Sequence, residues 1–118
     1  MARVAVVDDA MFMRTILGKI LEELGHEIVA QGENGLEAIE IAKEHKPDLI
    51  TLDITMPEMD GLAAVPKIIE AYPEAKIIMV SAMGQKNMVV DAIKSGAKEF
   101  IVKPFEKTIV EQAISKVL

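Results

Sequence analysis

Five polar side chains stand directly after short apolar runs along the chain. They are three aspartates, one serine and one lysine: Asp8, Asp9, Asp53, Ser81 and Lys103. Taken singly, each has an ordinary explanation, since aspartate often caps a helix, serine often lies in a turn and lysine is usually solvated. Three carboxylates that converge on one point, however, raise each other's pKa unless a cation neutralises them. If the fold brings them together, the set predicts a site for a divalent metal ion.

The donor atoms favour magnesium as that metal. Only oxygen ligands are available, and Mg²⁺ typically takes one or two carboxylates, keeps several waters and binds substrate phosphates. Asp53 is the candidate nucleophile for phosphoryl transfer, because a carboxylate can form an acyl phosphate. Lys103 would stabilise the charge of the transferring group, and Ser81 could donate a hydrogen bond to the attached phosphoryl group. These residues therefore predict a protein whose shape is switched by phosphorylation.

The five side chains can meet only if the strands before them lie side by side. Short β-branched runs alternate with segments of helical period, which is typical of βαβ units around a parallel sheet. The right-handed crossover rule then favours a doubly wound α/β sheet with helices on both faces, and ligands of such sheets bind beyond the carboxyl ends of the strands. The predicted strands are Arg3–Val7, Glu27–Gln31, Asp48–Leu52, Lys76–Val80 and Glu99–Val102.

Apolar residues at helical spacing predict five helices, one after each strand. Gly25 and Gly96 are expected to end the first and the fourth helix. Pro66 lies inside the third pattern, so that helix should begin close to it or bend there. The fourth helix is predicted at about residues 87–94, and the fifth runs from Lys107 to the C-terminus.

The bulk composition indicates one globular domain, residues 1–118, with 51% hydrophobic residues to form a core. A formal charge of −6 disfavours direct binding to nucleic acid, whose affinity depends on clustered Lys and Arg. The chain has no cysteine, which excludes disulfides and thiolate sites. The apolar run Val4–Val7 is too short for a signal peptide or a membrane span. We therefore expect a cytoplasmic monomer without membrane insertion.

Four motif blocks together resemble those of response-regulator receiver domains, and the match spans the whole chain. The resemblance is strongest to the stand-alone chemotaxis members of that family. It implies a flavodoxin-like receiver fold, with five helices around a five-stranded parallel sheet in the order 2-1-3-4-5. The blocks are Val6-Val7-Asp8-Asp9, the run from Asp53 through Met56-Pro57 to Asp60-Gly61, Val80-Ser81-Ala82 and Val102-Lys103-Pro104-Phe105.

The resemblance also implies roles for individual residues. Asp53 would be the phosphoacceptor and a metal ligand, while Ser81 and Lys103 would contact the phosphoryl group. Phe100 would act with Ser81 in the switch, although phenylalanine lacks the hydroxyl of the tyrosine found in the best-known chemotaxis regulators. The peptide bond before Pro104 would be cis. The remaining Mg²⁺ ligands would be Asp9 directly, Asp8 mainly through water and the backbone carbonyl of Thr55.

The implied phosphoryl donor is a phosphohistidine on a partner histidine kinase, with a separate phosphatase as a possible further partner. Output would be binding of a target protein through the fourth helix, fifth strand and fifth helix, by analogy with similar proteins. Flagellar motor control is the favoured pathway. A phosphorelay intermediate and the isolated receiver of a longer regulator are the alternatives. The chain would be no enzyme beyond catalysing its own phosphorylation and dephosphorylation.

Other functions are less well supported by the residues. An aspartate-nucleophile phosphatase would need an Asp-x-Asp pair, but Asp53 is followed by Ile54 and Thr55. A nucleotide-binding enzyme would need a glycine-rich phosphate loop after the first strand, and none is present. An adaptor of the same fold that is never phosphorylated stays open, and would show no Mg²⁺-dependent modification.

Overall fold

The computed structural model describes residues 1–118 as alternating strands and helices around one sheet. All strands are parallel, and their order is β2-β1-β3-β4-β5, which confirms the predicted fold. None of the helices has the length and apolar character of a membrane span. The elements are β1 Arg3–Val7, α1 Met11–Glu23, β2 Glu27–Gly32, α2 Gly35–His45, β3 Leu49–Asp53, α3 Gly61–Ala71, β4 Ile77–Ser81, α4 Lys86–Ser95, β5 Glu99–Val102 and α5 Lys107–Val117.

Helices cover both faces of the sheet. Residues of α2, α3 and α4 pack on one face, where Leu52 and Ile68 are fully buried. Residues of α1 and α5 pack on the other face, where Leu21 and Ile101 are equally enclosed. Every residue of β3 and β4 is buried, as expected for inner strands that are covered on both sides. The sheet is therefore a rigid base whose strand ends hold side chains in fixed positions.

The predicted ends of β3 and β4 are one residue too early. Asp53 pairs with Val80 across the two strands, and the Ile54 N–H donates to the Val80 carbonyl oxygen at 3.3 Å. The Lys103 N–H donates to the carbonyl oxygen of Ser81 at 2.7 Å. Backbone pairing thus continues through both polar residues, which makes Asp53 and Ser81 the last residues of their strands.

Gly25 terminates helix α1 as predicted; it lies two residues beyond Glu23, the last residue of the helix, and adopts a φ of +93°. The Gly25 N–H donates to Glu22 and the His26 N–H to Leu21, each at 3.0 Å, which is the hydrogen-bond pattern of a Schellman cap. Of the two alternatives predicted for α3, a start close to Pro66 is wrong, and a bend there stays a prediction. The helix begins at Gly61, because the Asp60 carboxylate accepts from the Ala63 N–H at 2.8 Å and caps it.

Candidate functional site

Asp8, Asp9 and Asp53 lie together at the carboxyl ends of β1 and β3. One carboxylate oxygen from each falls within 4.8 Å of the other two. Asp8 and Asp53 are buried, while Asp9 is exposed. The three predicted carboxylates therefore form one cluster that opens to solvent on the Asp9 side.

The cluster is electrostatically unfavourable without a further cation. The pKa of Asp53 is raised from an ordinary 3.8 to about 6, first by burial and then by the negative charge of Asp8. The Lys103 ammonium and the Ile54 N–H offset only part of that rise. The positive charge that the protein places beside Asp53 therefore does not return the pKa of this carboxyl group to its ordinary value.

Lys103 is the one ammonium that contacts the cluster. Its Nζ lies 3.0 Å from Asp8 Oδ2 and 3.4 Å from Asp53 Oδ1. Burial alone would lower the pKa of Lys103, but the hydrogen bond to Asp8 and the charge of Asp53 outweigh burial and raise it. The side chain is therefore a permanent cation directed at the Asp53 carboxylate. The Lys103–Pro104 peptide bond that follows is cis.

The loop after β1 holds Asp8 from two sides. Asp8 Oδ1 accepts a hydrogen bond from the Ala10 N–H at 2.9 Å. Arg14, on the first turn of α1, donates from Nη1 to the backbone oxygen of Asp8 at 2.6 Å and from Nε to Gln31 at 3.2 Å. Sequence reasoning missed Arg14, because a single arginine on a helix looks like a solvated charge. Its spacing of six residues from Asp8 is the only signal in the sequence.

The loop after β3 folds back tightly onto Asp53. Gly61 donates its N–H to the Ile54 carbonyl oxygen at 2.7 Å, and a Cβ at position 61 would collide with the backbone oxygen of Asp53. Glu58 adopts a positive φ of 65° in the same loop, a conformation that most residues avoid. The close approach at Gly61 explains why a glycine opens α3, and it fixes the backbone that carries Asp53.

Ser81 and Thr55 lie near Asp53 along the chain and the sheet, but their hydroxyl groups have other partners. The Ser81 hydroxyl is buried and donates a long hydrogen bond of 3.5 Å to the Ile101 carbonyl oxygen. The Thr55 hydroxyl accepts from Gln85 Nε2 at 2.9 Å. No hydrogen bond joins either hydroxyl to the carboxylate cluster. Gln85 was not foreseen, because its role depends on a loop conformation that the sequence pattern does not specify.

Phe100 lies outside the cluster, on the surface between β5 and α4. Its side chain is 41% exposed, and it borders a cavity of about 380 Å³ together with Ser81, Val89 and Ile93. The ring is therefore not part of the core in this state. Ser81, at the end of β4, borders the same cavity.

The residues present fit a bound Mg²⁺ ion. Three carboxylate oxygens converge, one carboxylate is solvent-exposed and free of ion pairs, and burial together with the charge of Asp8 raises the pKa of Asp53. All these donors are oxygens, which suits a hard divalent cation. The ligand role of the Thr55 carbonyl stays a prediction.

The sequence and the fold match known proteins over nearly the whole chain. The family model of the response regulator receiver domain matches residues 4–115. The chemotaxis protein CheY of Listeria monocytogenes is 58% identical over 116 residues, which cover 98% of each chain. CheY of Bacillus subtilis is 56% identical over 116 residues, covering 98% of this chain and 97% of the relative.

A solved structure gives the same result in three dimensions. The chain aligns with the crystal structure of the CheX-CheY-BeF3-Mg+2 complex from Borrelia burgdorferi with a TM-score of 0.93. The identity is 39%, and the alignment covers 98% of this chain and 87% of the other. The strand order, the acidic cluster at the strand ends and these matches agree, and the chain belongs to the response regulator receiver domain family.

Proposed function

We propose that this protein is a two-component phosphoacceptor of chemotaxis that receives a phosphoryl group on Asp53. Family membership and high identity to CheY proteins over the whole chain support the two-component and chemotaxis assignment. The observation that supports Asp53 is its geometry. It is the one buried carboxylate that contacts Lys103, shares a cluster with two further aspartates and has its pKa raised to about 6. Asp8 also contacts Lys103, but both of its oxygens are already hydrogen-bonded.

In the proposed reaction an Asp53 carboxylate oxygen attacks the phosphorus of a phosphohistidine on a histidine kinase. A P–O bond to Asp53 forms as the P–N bond of the donor breaks, and the electron pair returns to the imidazole. Lys103, held 3.4 Å from Asp53 Oδ1, stabilises negative charge on the phosphoryl oxygens. Asp8, Asp9, Asp53 and the carbonyl of Thr55 would hold Mg²⁺. When bound, that ion supplies positive charge to the transferring group.

The Ser81 hydroxyl is the proposed donor to the attached phosphoryl group. Its present hydrogen bond to Ile101 is long at 3.5 Å and therefore weak. A charge-assisted bond to a phosphoryl oxygen would be stronger, so phosphorylation favours rotation of this hydroxyl towards Asp53. That rotation would change the packing of the cavity that Ser81 shares with Phe100.

The proposed output surface consists of the exposed apolar residues of α4 and β5. Such residues in contiguous positions mark sites of protein interaction. A target protein, in chemotaxis the flagellar switch protein, would bind here once Ser81 has moved, and a separate phosphatase would end the signal. The exposed apolar residues that form this output surface are Met88, Val90, Ile93, Phe100 and Val102, each 38% to 44% exposed.

We also propose that residues 1–118 act as one receiver domain in the cytoplasm and catalyse only their own phosphorylation and dephosphorylation.

Intact-mass spectrometry after incubation with acetyl phosphate tests the proposal. We expect one phosphoryl increment that requires Mg²⁺ and is absent from Asp53→Asn. Asp91→Asn is the matched control, because Asp91 is an exposed aspartate on α4, and it should be labelled like the unaltered protein. An unlabelled protein that still binds Mg²⁺ would instead indicate an adaptor of the same fold.

A further inference from the structure

One side chain connects the two loops that flank Asp53. Gln85 accepts a hydrogen bond through Oε1 from the Ala82 N–H at 2.7 Å. Through Nε2 the same amide donates to the Thr55 hydroxyl at 2.9 Å. Gly84, at a φ of +89°, precedes Gln85 and permits the turn that returns the side chain towards Ala82. We call these two hydrogen bonds the Gln85 bridge.

The Gln85 bridge joins the loop that follows Asp53 at the end of β3 to the loop that follows Ser81 at the end of β4. Thr55 stands two residues beyond Asp53 in the loop after β3, and Ala82 directly follows Ser81 at the end of β4. No other side-chain hydrogen bond connects these two loops. The bridge therefore restrains the relative position of the two segments that must adapt when a group is attached to Asp53.

The bridge also engages a donor that lies beside Ser81. A phosphoryl group on Asp53 adds negative charge and three strong acceptor oxygens, which draw nearby N–H and O–H donors towards them. The Ala82 N–H, adjacent to the Ser81 hydroxyl, is bound to Gln85 instead. Transfer of the Ala82 N–H to a phosphoryl oxygen therefore requires its hydrogen bond to Gln85 Oε1 to break.

We propose that Gln85 is a positioning residue that restrains the β4–α4 loop in its unmodified arrangement and thereby opposes phosphorylation of Asp53. The inference rests on the proposed function. A side chain shifts the equilibrium between two conformations only by the difference between its interaction free energies in the two conformations. In this proposal the Gln85 bridge forms only while Asp53 is unmodified, so removing the bridge favours the phosphorylated arrangement.

The test is titration of the Mg²⁺-saturated protein with beryllofluoride, a mimic of the phosphoryl group, by isothermal titration calorimetry. Gln85→Met keeps the length of the side chain but removes both hydrogen bonds, and it should bind beryllofluoride about threefold to tenfold more tightly, the effect of one net hydrogen bond. Thr55→Val should tighten binding less. The double variant should equal Gln85→Met alone, because Thr55→Val removes one of the two hydrogen bonds that Gln85→Met already removes.

Two controls separate restraint from general loosening of the structure. Asn87→Ala changes an exposed polar residue on the first turn of α4 and should leave beryllofluoride affinity unchanged. The affinity of Gln85→Met for Mg²⁺ alone should also be unchanged, since the carboxylate cluster is intact. A purely capping role for Gln85 would lower the stability of α4 without tightening beryllofluoride binding.

The outcomes distinguish this inference from the proposed function. If the unaltered protein binds beryllofluoride but Gln85→Met binds it equally or more weakly, the restraint is refuted and the phosphoacceptor function stands. If the unaltered protein binds Mg²⁺ but no beryllofluoride, the proposed function fails and the restraint fails with it. Tighter binding by Gln85→Met, together with non-additivity in the double variant, supports the restraint.

Discussion

Replacing Asp53 with asparagine should stabilise the metal-free fold at neutral pH, although the substitution removes the proposed phosphoacceptor. The pKa of Asp53 is raised to about 6 in the folded protein, so ionisation of Asp53 costs more free energy in the folded protein than in the unfolded chain. A rise from 3.8 to about 6 corresponds to about 3 kcal/mol. Because solvent reaches the cluster on the Asp9 side, screening reduces the effect, and we expect Asp53→Asn to gain about 1.5 kcal/mol at pH 7.5.

The sign of the pH dependence follows from the direction of the shift. Because the pKa of Asp53 is higher in the folded protein, protonation of Asp53 favours the folded state. The stability linked to this group is fully present below the unfolded pKa of 3.8 and is lost as the pH rises through about 6. The advantage of Asp53→Asn should therefore be largest above pH 6 and about half as large at pH 5.

Urea unfolding in the presence of EDTA, at pH 5 and at pH 7.5, measures this difference. Asp91→Asn is the matched control and should change the free energy of unfolding by less than about 0.5 kcal/mol. Mg²⁺ at about 100 times its Kd should stabilise the unaltered protein by about 2.7 kcal/mol, and Asp53→Asn by less. An Asp53→Asn variant that is less stable than the unaltered protein in EDTA at pH 7.5 would refute the electrostatic reasoning.

Four further substitutions, one of them a control, test other parts of the structure. Lys103→Met should slow labelling by acetyl phosphate by about 100-fold while leaving Mg²⁺ affinity undiminished, since an ammonium opposes a nearby cation; weaker Mg²⁺ binding in calorimetry would contradict this. Thr51→Val should raise the free energy of unfolding by about 1 kcal/mol, because the buried Thr51 hydroxyl has no hydrogen-bond partner; a loss in urea unfolding would show that it has one. Gly61→Ala should cost about 3 kcal/mol by collision with the Asp53 backbone. Gly18→Ala on α1, where the added Cβ would meet only Ile28 Cγ1 at 4.0 Å, should gain up to about 1 kcal/mol; equal stability of the two variants would exclude the collision.

The fold could be predicted because its signals are local and repeated. Apolar β-branched runs specify buried strands, helical spacing specifies amphipathic helices, and their alternation leaves few topologies. The carboxylate cluster follows from the same reasoning, since Asp8 and Asp53 stand at strand ends that a parallel sheet brings to one edge. The last residues of β3 and β4 could not be predicted from the apolar pattern, because backbone pairing continues through the polar residues Asp53 and Ser81.

Features that depend on loop conformation were not predictable. The hydrogen bonds of Arg14 to Asp8 and of Gln85 to Thr55 require backbone turns that no period in the sequence encodes. A start of α3 close to Pro66, one of the two predicted alternatives, is wrong because the Asp60 cap and the close approach at Gly61 determine where the helix begins. Of these contacts, the Gln85–Thr55 hydrogen bond joins two loops across 30 residues of sequence.

The most direct test of the central claim is to locate the modified residue. An acyl phosphate is reduced by borohydride to an alcohol, so protein labelled with acetyl phosphate and Mg²⁺ can be reduced, digested and mapped by tandem mass spectrometry. We predict a reduced aspartate at position 53 and nowhere else, because Asp53 alone combines burial, a raised pKa and contact with the Lys103 ammonium. A reduced residue at Asp8 or Asp9, or labelling with no reduced aspartate, would contradict the account.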